Sequence, residues 1–396
     1  MGTTLIVTND FPPRQGGIET FVHAMAVRLA GQGVVVLTSA EPGAAAFDAG
    51  LPFPVVREPV RMLLPTARTT RRAVELAAEH GCDRVWFGAA APLAAMAPAL
   101  APALRRAGNG AGNGAGNGAG NGVGAGRLVA TTHGHEVWWA RAPLARRVLR
   151  RVGASCDTVT YLGEYTRRRI APALGPGAVL ERLVPGVDPA VFRPSAADRR
   201  AVRERYGLGR RPVVLCVARL VPRKGQDVLI RALPLIRRHI PDAVLLLVGD
   251  GPDGARLRRL ARRCPPDAVV FAGGHGHPDT ARFYAAADVF AMPCRTRRAG
   301  LEAEGLGIVF LEASASGLPV VAGRSGGAPD AVLPGRTGTV VDGRQAGEVA
   351  EAVLEFLQDP SRAREFGRAG REWVTREWSW DASARRLAGM LAGRDG

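Results

Sequence analysis

Short apolar runs alternate with helix-length segments from one end of the chain to the other. In the first half the runs are 5–7, 34–37, 85–87, 128–130 and 158–161; in the second they are 213–217, 243–248, 268–271, 289–291, 319–321 and 339–341. Most carry no alternating polar position, which is the pattern of strands covered on both faces in a parallel sheet. Two such series predict an α/β chain of two doubly wound, Rossmann-like domains. A length of 396 residues also exceeds what a single core usually organises. The Pro/Gly-rich stretch Val184-Pro-Gly-Val-Asp-Pro189 predicts the boundary, giving domains over 1–185 and 186–375. Beyond the bend at Glu377–Asp381, residues 376–396 read as a last helix, with Trp373, Trp378 and Trp380 as packing anchors.

Residues 107–126 stand apart: an Ala-Gly-Asn-Gly repeat with no apolar face, read as a flexible surface loop. No apolar run is long enough to span a bilayer. The N-terminus enters a strand with no basic leader, which predicts a protein that is not exported. Five scattered cysteines (Cys82, Cys156, Cys216, Cys264, Cys294) without CxxC spacing point to a reduced, cytoplasmic protein.

Charge changes the picture. The net charge is +17, and all but one of the 53 basic residues are arginine. That balance suits nucleic acid or an anionic membrane surface, but nothing resembles a nucleic-acid module. The arginine pairs of the first half (Arg71-Arg72, Arg105-Arg106, Arg146-Arg147, Arg150-Arg151) form either a face for lipid head groups or ordinary solvated helix faces. The lone lysine, Lys224, lies in Arg219-Leu-Val-Pro-Arg-Lys-Gly225, after the first strand of the second domain. Open α/β sheets bind ligands at strand carboxyl ends, and a compact ammonium suits a point-charge contact to phosphate.

Two further features converge on a diphosphate. Gly16-Gly17 follows the first strand and opens a helix near Glu19, where backbone N–H groups bind anions. In Glu304-Gly-Leu-Gly-Ile-Val-Phe-Leu-Glu312, the turn Gly305-Leu306-Gly307 should itself begin a helix. Glu304 would then sit beside free N–H donors, and Glu312 two turns along could take a vicinal diol. His133-Gly-His135 follows another strand and is half of a metal site, a sugar contact or the opening of a helix. His275 and His277, in a Gly-His turn, read as incidental.

Together these residues resemble the retaining glycosyltransferases of family 4, over nearly the full chain. Within that family the likeness is to the phosphatidylinositol mannosyltransferases that add a second mannose. It is carried by 8–14, 85–93, 132–136, 219–227 and 304–309. The resemblance implies a GT-B fold, with two Rossmann-like domains facing across a cleft and the last helix crossing back to the first domain. It implies mannosyl transfer from GDP-mannose to a phosphoinositide glycolipid, at the inner face of the plasma membrane, without a metal or other cofactor and without nucleic acid. The alternatives are a family 4 transferase with another donor or acceptor and, more distantly, a non-catalytic nucleotide- or nucleic-acid-binding protein. By the same likeness Gly16, Gly17, Arg219 and Lys224 would hold the donor diphosphate. Glu304, with Gly305, Leu306, Gly307 and Ile308, would hold the donor sugar, Glu312 the ribose, and His133 the sugar near its 6-hydroxyl. Asp10, Arg14 and His135 would meet the acceptor.

Overall fold

The computed structural model describes residues 2–14, 16–110, 126–300 and 302–393. The chain divides into two compact units. One comprises Met1–Pro185 with Trp380–Gly396, the other Gly186–Ser379.

The first unit is built on a seven-stranded parallel sheet. Its strands are β1 (Thr3–Val7), β2 (Val34–Ser39), β3 (Val55–Glu58), β4 (Cys82–Phe87), β5 (Arg127–Thr131), β6 (Thr158–Tyr161) and β7 (Leu180–Arg182). The spatial order is β3-β2-β1-β4-β5-β6-β7, with Leu5 opposite both Val35 and Val85. Alternate residues feed two cores. Leu5, Val7, Leu37, Val85 and Phe87 pack into one face, and Ile6, Val36, Trp86 and Val129 into the other. The second face is completed by Leu387, Met390 and Leu391 of the C-terminal helix Trp380–Ala392. Burying each such side chain is worth about 1.5–3 kcal/mol, so that helix is part of the first unit's core.

The second unit carries six parallel strands: β8 (Val213–Val217), β9 (Val244–Val248), β10 (Val269–Gly273), β11 (Val289–Met292), β12 (Val320–Gly323) and β13 (Gly338–Val341). Their order is β10-β9-β8-β11-β12-β13. Every residue of β8, β9, β11 and β12 is buried, which is why these runs contain no polar position. In each unit the strand order reverses once, between β1 and β4 and between β8 and β11. Ligands of open parallel sheets bind at the carboxyl ends of strands beside such a reversal.

Three expectations need correction. The edge strands β3 and β7 are additional to the predicted ones. The first helix begins at Gly17 rather than near Glu19. Residues 107–110 finish the helix Ala97–Gly110 instead of starting a loop, and the rest of the repeat through 125 lies outside the described residues. Trp373 and Trp378 are buried edge to face, with ring centroids 5.5 Å apart, and Trp380 packs on Phe21.

Candidate active site

In the second unit β8 leads through Arg219 into a single 3-10 turn, Pro222–Lys224, and then the helix Gln226–Arg237. The turn aims Lys224 inward. Its Nζ lies 2.7 Å from Glu304 Oε2, and Nη1 of Arg223 lies 2.7 Å from the same oxygen. Burial pushes the Glu304 carboxyl up, but Lys224 and Arg223 outweigh it and hold the group below the ordinary carboxylate value. The carboxylate is therefore ionised although buried. Arg219 behaves differently. Its carbonyl accepts from Gln226 Nε2, its side chain is exposed, and among the described residues it pairs with no carboxylate.

Glu304 is held by backbone as well. Its N–H donates to Ser325 Oγ at 3.3 Å and its carbonyl accepts from Gly327 N at 2.9 Å. Gly326 makes this possible. Its φ is +56°, and a Cβ there would stand 1.9 Å from Glu304 O. Downstream, Gly307 (φ +80°) starts the helix Ile308–Ala315 without a side-chain cap. Among the described residues none accepts from the N–H groups of Leu306, Gly307 or Ile308. Three unsatisfied donors at a helix N-terminus, next to Glu304 and Lys224, form a site for an anion and for hydroxyl groups.

Glu312 lies deeper than the sequence suggests. The helix starts late, so Glu312 is one turn along it, and the residue is only 1% exposed. Tyr284 Oη donates to its Oε2 at 2.7 Å, and His277 Nε2 lies 2.7 Å from its Oε1. His277 is thus not incidental. Its hydrogen bond to Glu312 raises its pKa, against burial. His275 sits against Ala272 O and the Phe283 ring.

In the first unit the carboxyl end of β1 continues into Asn9. That side chain clamps the backbone of Leu63 in both directions, at 3.0 and 2.6 Å. Arg14, expected at an acceptor head group, is surrounded by carboxylates: Glu19 at 2.7 Å, Asp10 at 2.9 Å and Glu41 at 3.7 Å. Burial and then Glu19 raise the Asp10 pKa, and Arg14 only partly offsets them. The helix Gly17–Leu29 has no side-chain cap, and a Cβ on Gly17 would meet nothing within 4 Å. That leaves open space beside Gly17, whereas a Cβ on Gly16 would collide with the Glu19 carboxylate, which folds back on the start of the helix.

His133 follows β5 and turns back onto β4. Its Nε2 lies 2.6 Å from the Gly88 carbonyl, so Nε2 carries the proton and Nδ1 is free to accept. Burial lowers the His133 pKa, favouring this neutral form. Glu136, fully buried, accepts from the N–H groups of His133 and Gly134 at 3.0 and 3.1 Å, and His135 Nε2 stands 3.3 Å from its other oxygen. Among the described residues no group of three or more His, Cys, Asp or Glu is placed to hold a metal.

Comparison with known proteins decides between the readings of such a site. Residues 198–373 match the family model described as "Glycosyl transferases group 1". The chain is 50% identical over 404 residues to the "GDP-mannose-dependent alpha-(1-6)-phosphatidylinositol monomannoside mannosyltransferase" of Mycobacterium tuberculosis strain H37Rv, covering 100% of this chain and 99% of that protein. The chain belongs to the phosphatidylinositol monomannoside mannosyltransferase family of group 1 glycosyltransferases. A further relative of this mannosyltransferase family, from Corynebacterium glutamicum, is 43% identical over 392 residues and covers 98% of this chain and 97% of its own. It is described as acting on the monoacylated phosphatidylinositol monomannoside. The fold of the glycosyltransferase is that of Anabaena Alr3699/HepE in complex with UDP, at a TM-score of 0.78, 19% identity and 99% and 100% coverage. Sucrose-phosphate synthase from Thermosynechococcus elongatus shares it at 0.71, with 23% identity and 98% coverage of both chains.

Of the residues picked from the transferase's sequence, the structure joins Lys224 to Glu304 and Asp10 to Arg14. It leaves Arg219 apart and seats Glu312 on two partners of its own. Arg223, Ser325, Gly326, His277, Tyr284 and Asn9 were not picked. The Ser-Gly-Gly after β12 was a readable signal, because paired glycines at a strand's carboxyl end mark close backbone approach. Nothing local marks His277 or Tyr284.

Proposed function

We propose that this chain moves mannose from GDP-mannose to the 6-hydroxyl of a phosphatidylinositol monomannoside, forming the dimannoside with retention. The reading rests on the full-length 50% identity to mannosyltransferases so described. The site supports it with an ionised, buried Glu304 beside Lys224 and the open helix N-terminus at Gly307. In the second unit Lys224 and Arg219 take the donor diphosphate; in the first, the N–H groups that follow Gly16 and Gly17 receive phosphate. Glu304 and the donors of Leu306, Gly307 and Ile308 hold the sugar, and Glu312 the ribose. His133 accepts from a sugar hydroxyl at Nδ1. Asp10 and His135 face the acceptor.

In the reaction the bond from the anomeric carbon to the β-phosphate oxygen breaks, and the acceptor oxygen bonds to that carbon on the same face. The acceptor proton passes to the departing phosphate oxygen. The protein orients the partners and offsets the growing phosphate charge, a task its cations perform without a metal. We further assign an anionic bilayer as the docking surface. Among the described residues no helix is long and apolar enough to cross a membrane. The segments that follow β3 and β5 both leave the carboxyl end of the parallel sheet and expose Met62, Leu64, Trp138 and Leu144, with Arg61, Arg68 and Arg141 near them in sequence. Apolar tips among arginines suit an anionic lipid surface.

The test is to incubate purified protein with labelled GDP-mannose or UDP-sugars and phosphatidylinositol monomannoside in anionic vesicles. Label should enter lipid from GDP-mannose alone, and Glu304→Ala should abolish it. Transfer from a UDP-sugar, or transfer that survives Glu304→Ala, would overturn the assignment.

A further inference from the structure

One carboxylate oxygen, Glu304 Oε2, holds two cations, Lys224 Nζ and Arg223 Nη1, each at 2.7 Å. A single partner would neutralise Glu304, so the second is redundant for the resting structure. Redundancy acquires a purpose if one cation has to leave. We propose that Arg223 is a positioning residue: it is the standing counter-charge of Glu304, and it frees Lys224 to turn to the donor diphosphate. This rests on the diphosphate role of Lys224 proposed above.

The two cations are placed for different tasks. The Lys224 side chain is 12% exposed and that of Arg223 33%, so Lys224 is the inner group. The Arg223 backbone is fixed, its carbonyl accepting from Arg295 N at 2.8 Å. Arg295 in turn is tied to the buried Asp227 at 2.9 Å. A guanidinium anchored in this way offers further N–H donors and keeps its grip on a carboxylate. An ammonium on a flexible stem needs only rotation to exchange one oxyanion for another. Without Arg223, turning Lys224 away would strand a buried carboxylate with no partner, which strongly disfavours the move. The loss should therefore appear as trapped lysine, with a fall in kcat.

Lys224 is the only lysine in the chain, so protein grown on lysine labelled at the ε-carbon gives one side-chain signal. In the unaltered protein that signal should shift when GDP is added. In Arg223→Gln, which keeps a polar stem without charge, the signal should stay at its resting position. The kcat should fall roughly 10- to 100-fold, the share of one charge-assisted hydrogen bond. Arg223→Lys should restore most of the activity, and an unchanged unfolding midpoint separates the effect from misfolding. If GDP moves the lysine signal equally in both proteins and Arg223→Gln keeps kcat within twofold, the role of Arg223 is wrong. If GDP fails to move the signal in the unaltered protein, the diphosphate role of Lys224 is wrong instead.

Discussion

Replacing Gly326 by alanine should disable the enzyme without touching any side chain of the site. The new Cβ would stand 1.9 Å from the Glu304 carbonyl oxygen, whereas ordinary contact begins at 3.4 Å. One backbone must therefore retreat by about 1.5 Å, if the contact is relieved along that line. The Gly327 N–H is hydrogen-bonded to the same carbonyl, so Glu304 itself moves. A displacement near 1 Å at a positioned group costs about 100-fold in rate. Alanine at φ +56° adds about 1–2 kcal/mol of backbone strain, equivalent to roughly 2–8 °C in the melting midpoint. The assay is steady-state mannosyl transfer alongside thermal unfolding. Gly347→Ala serves as the control, because a Cβ there meets nothing within 4 Å. A folded Gly326→Ala enzyme with unchanged kcat would refute the claim that backbone contact places Glu304.

Other substitutions probe the rest of the site. Lys224→Ala should abolish transfer and Lys224→Arg should keep only a small part of it, since a planar fork cannot reproduce the ammonium's contact; near-normal turnover in both would remove Lys224 from the mechanism. Gly17→Ala should leave the melting midpoint unchanged, because its Cβ enters open space, yet raise the donor KM by about tenfold or more if a diphosphate approaches there; an unchanged KM would argue against that approach. Tyr284→Phe removes one of two partners from the buried Glu312 and should cost about 1–3 kcal/mol in denaturant unfolding; unchanged stability would show that the hydroxyl does not hold Glu312. His277 predicts a pH effect. Its pKa is raised above 6.5 by Glu312, so its stabilising contribution is complete below that value and fades as pH rises through the folded pKa. His133, with its pKa lowered, acts in the opposite sense, so the comparison must be unaltered protein against His277→Gln; a stability gap that does not narrow from about pH 6 to about pH 9 would contradict the pairing.

The strands of both units were legible because a strand buried on two faces has to be apolar along its whole length. Val-Val-Leu-Cys-Val at 213–217 admits no other reading once helices flank it. The edge strands escaped for the same reason. Val55–Glu58 and Leu180–Arg182 are short and only half-buried, so their composition is mixed. At the site, Lys224 and Glu304 could be read because rarity and glycine spacing marked them. Tyr284 and His277 reach Glu312 from 28 and 35 residues away, a meeting that exists only after the sheet has formed. Arg223 was hidden by its neighbour: in Pro-Arg-Lys, nothing in the order of the letters says which cation turns inward.

The C-terminal helix carries a consequence for how the molecule is made. Leu387, Met390 and Leu391 complete a face of the first sheet, yet they are made only after the whole second unit. The intervening residues 186–379 form a compact unit, and domains fold as they are synthesised. The unit begun first is therefore completed only after the second has been made. Until residues 380–392 have been made, the first sheet waits with one apolar face uncovered, and a chain stopped at Ser379 would keep that face exposed for good.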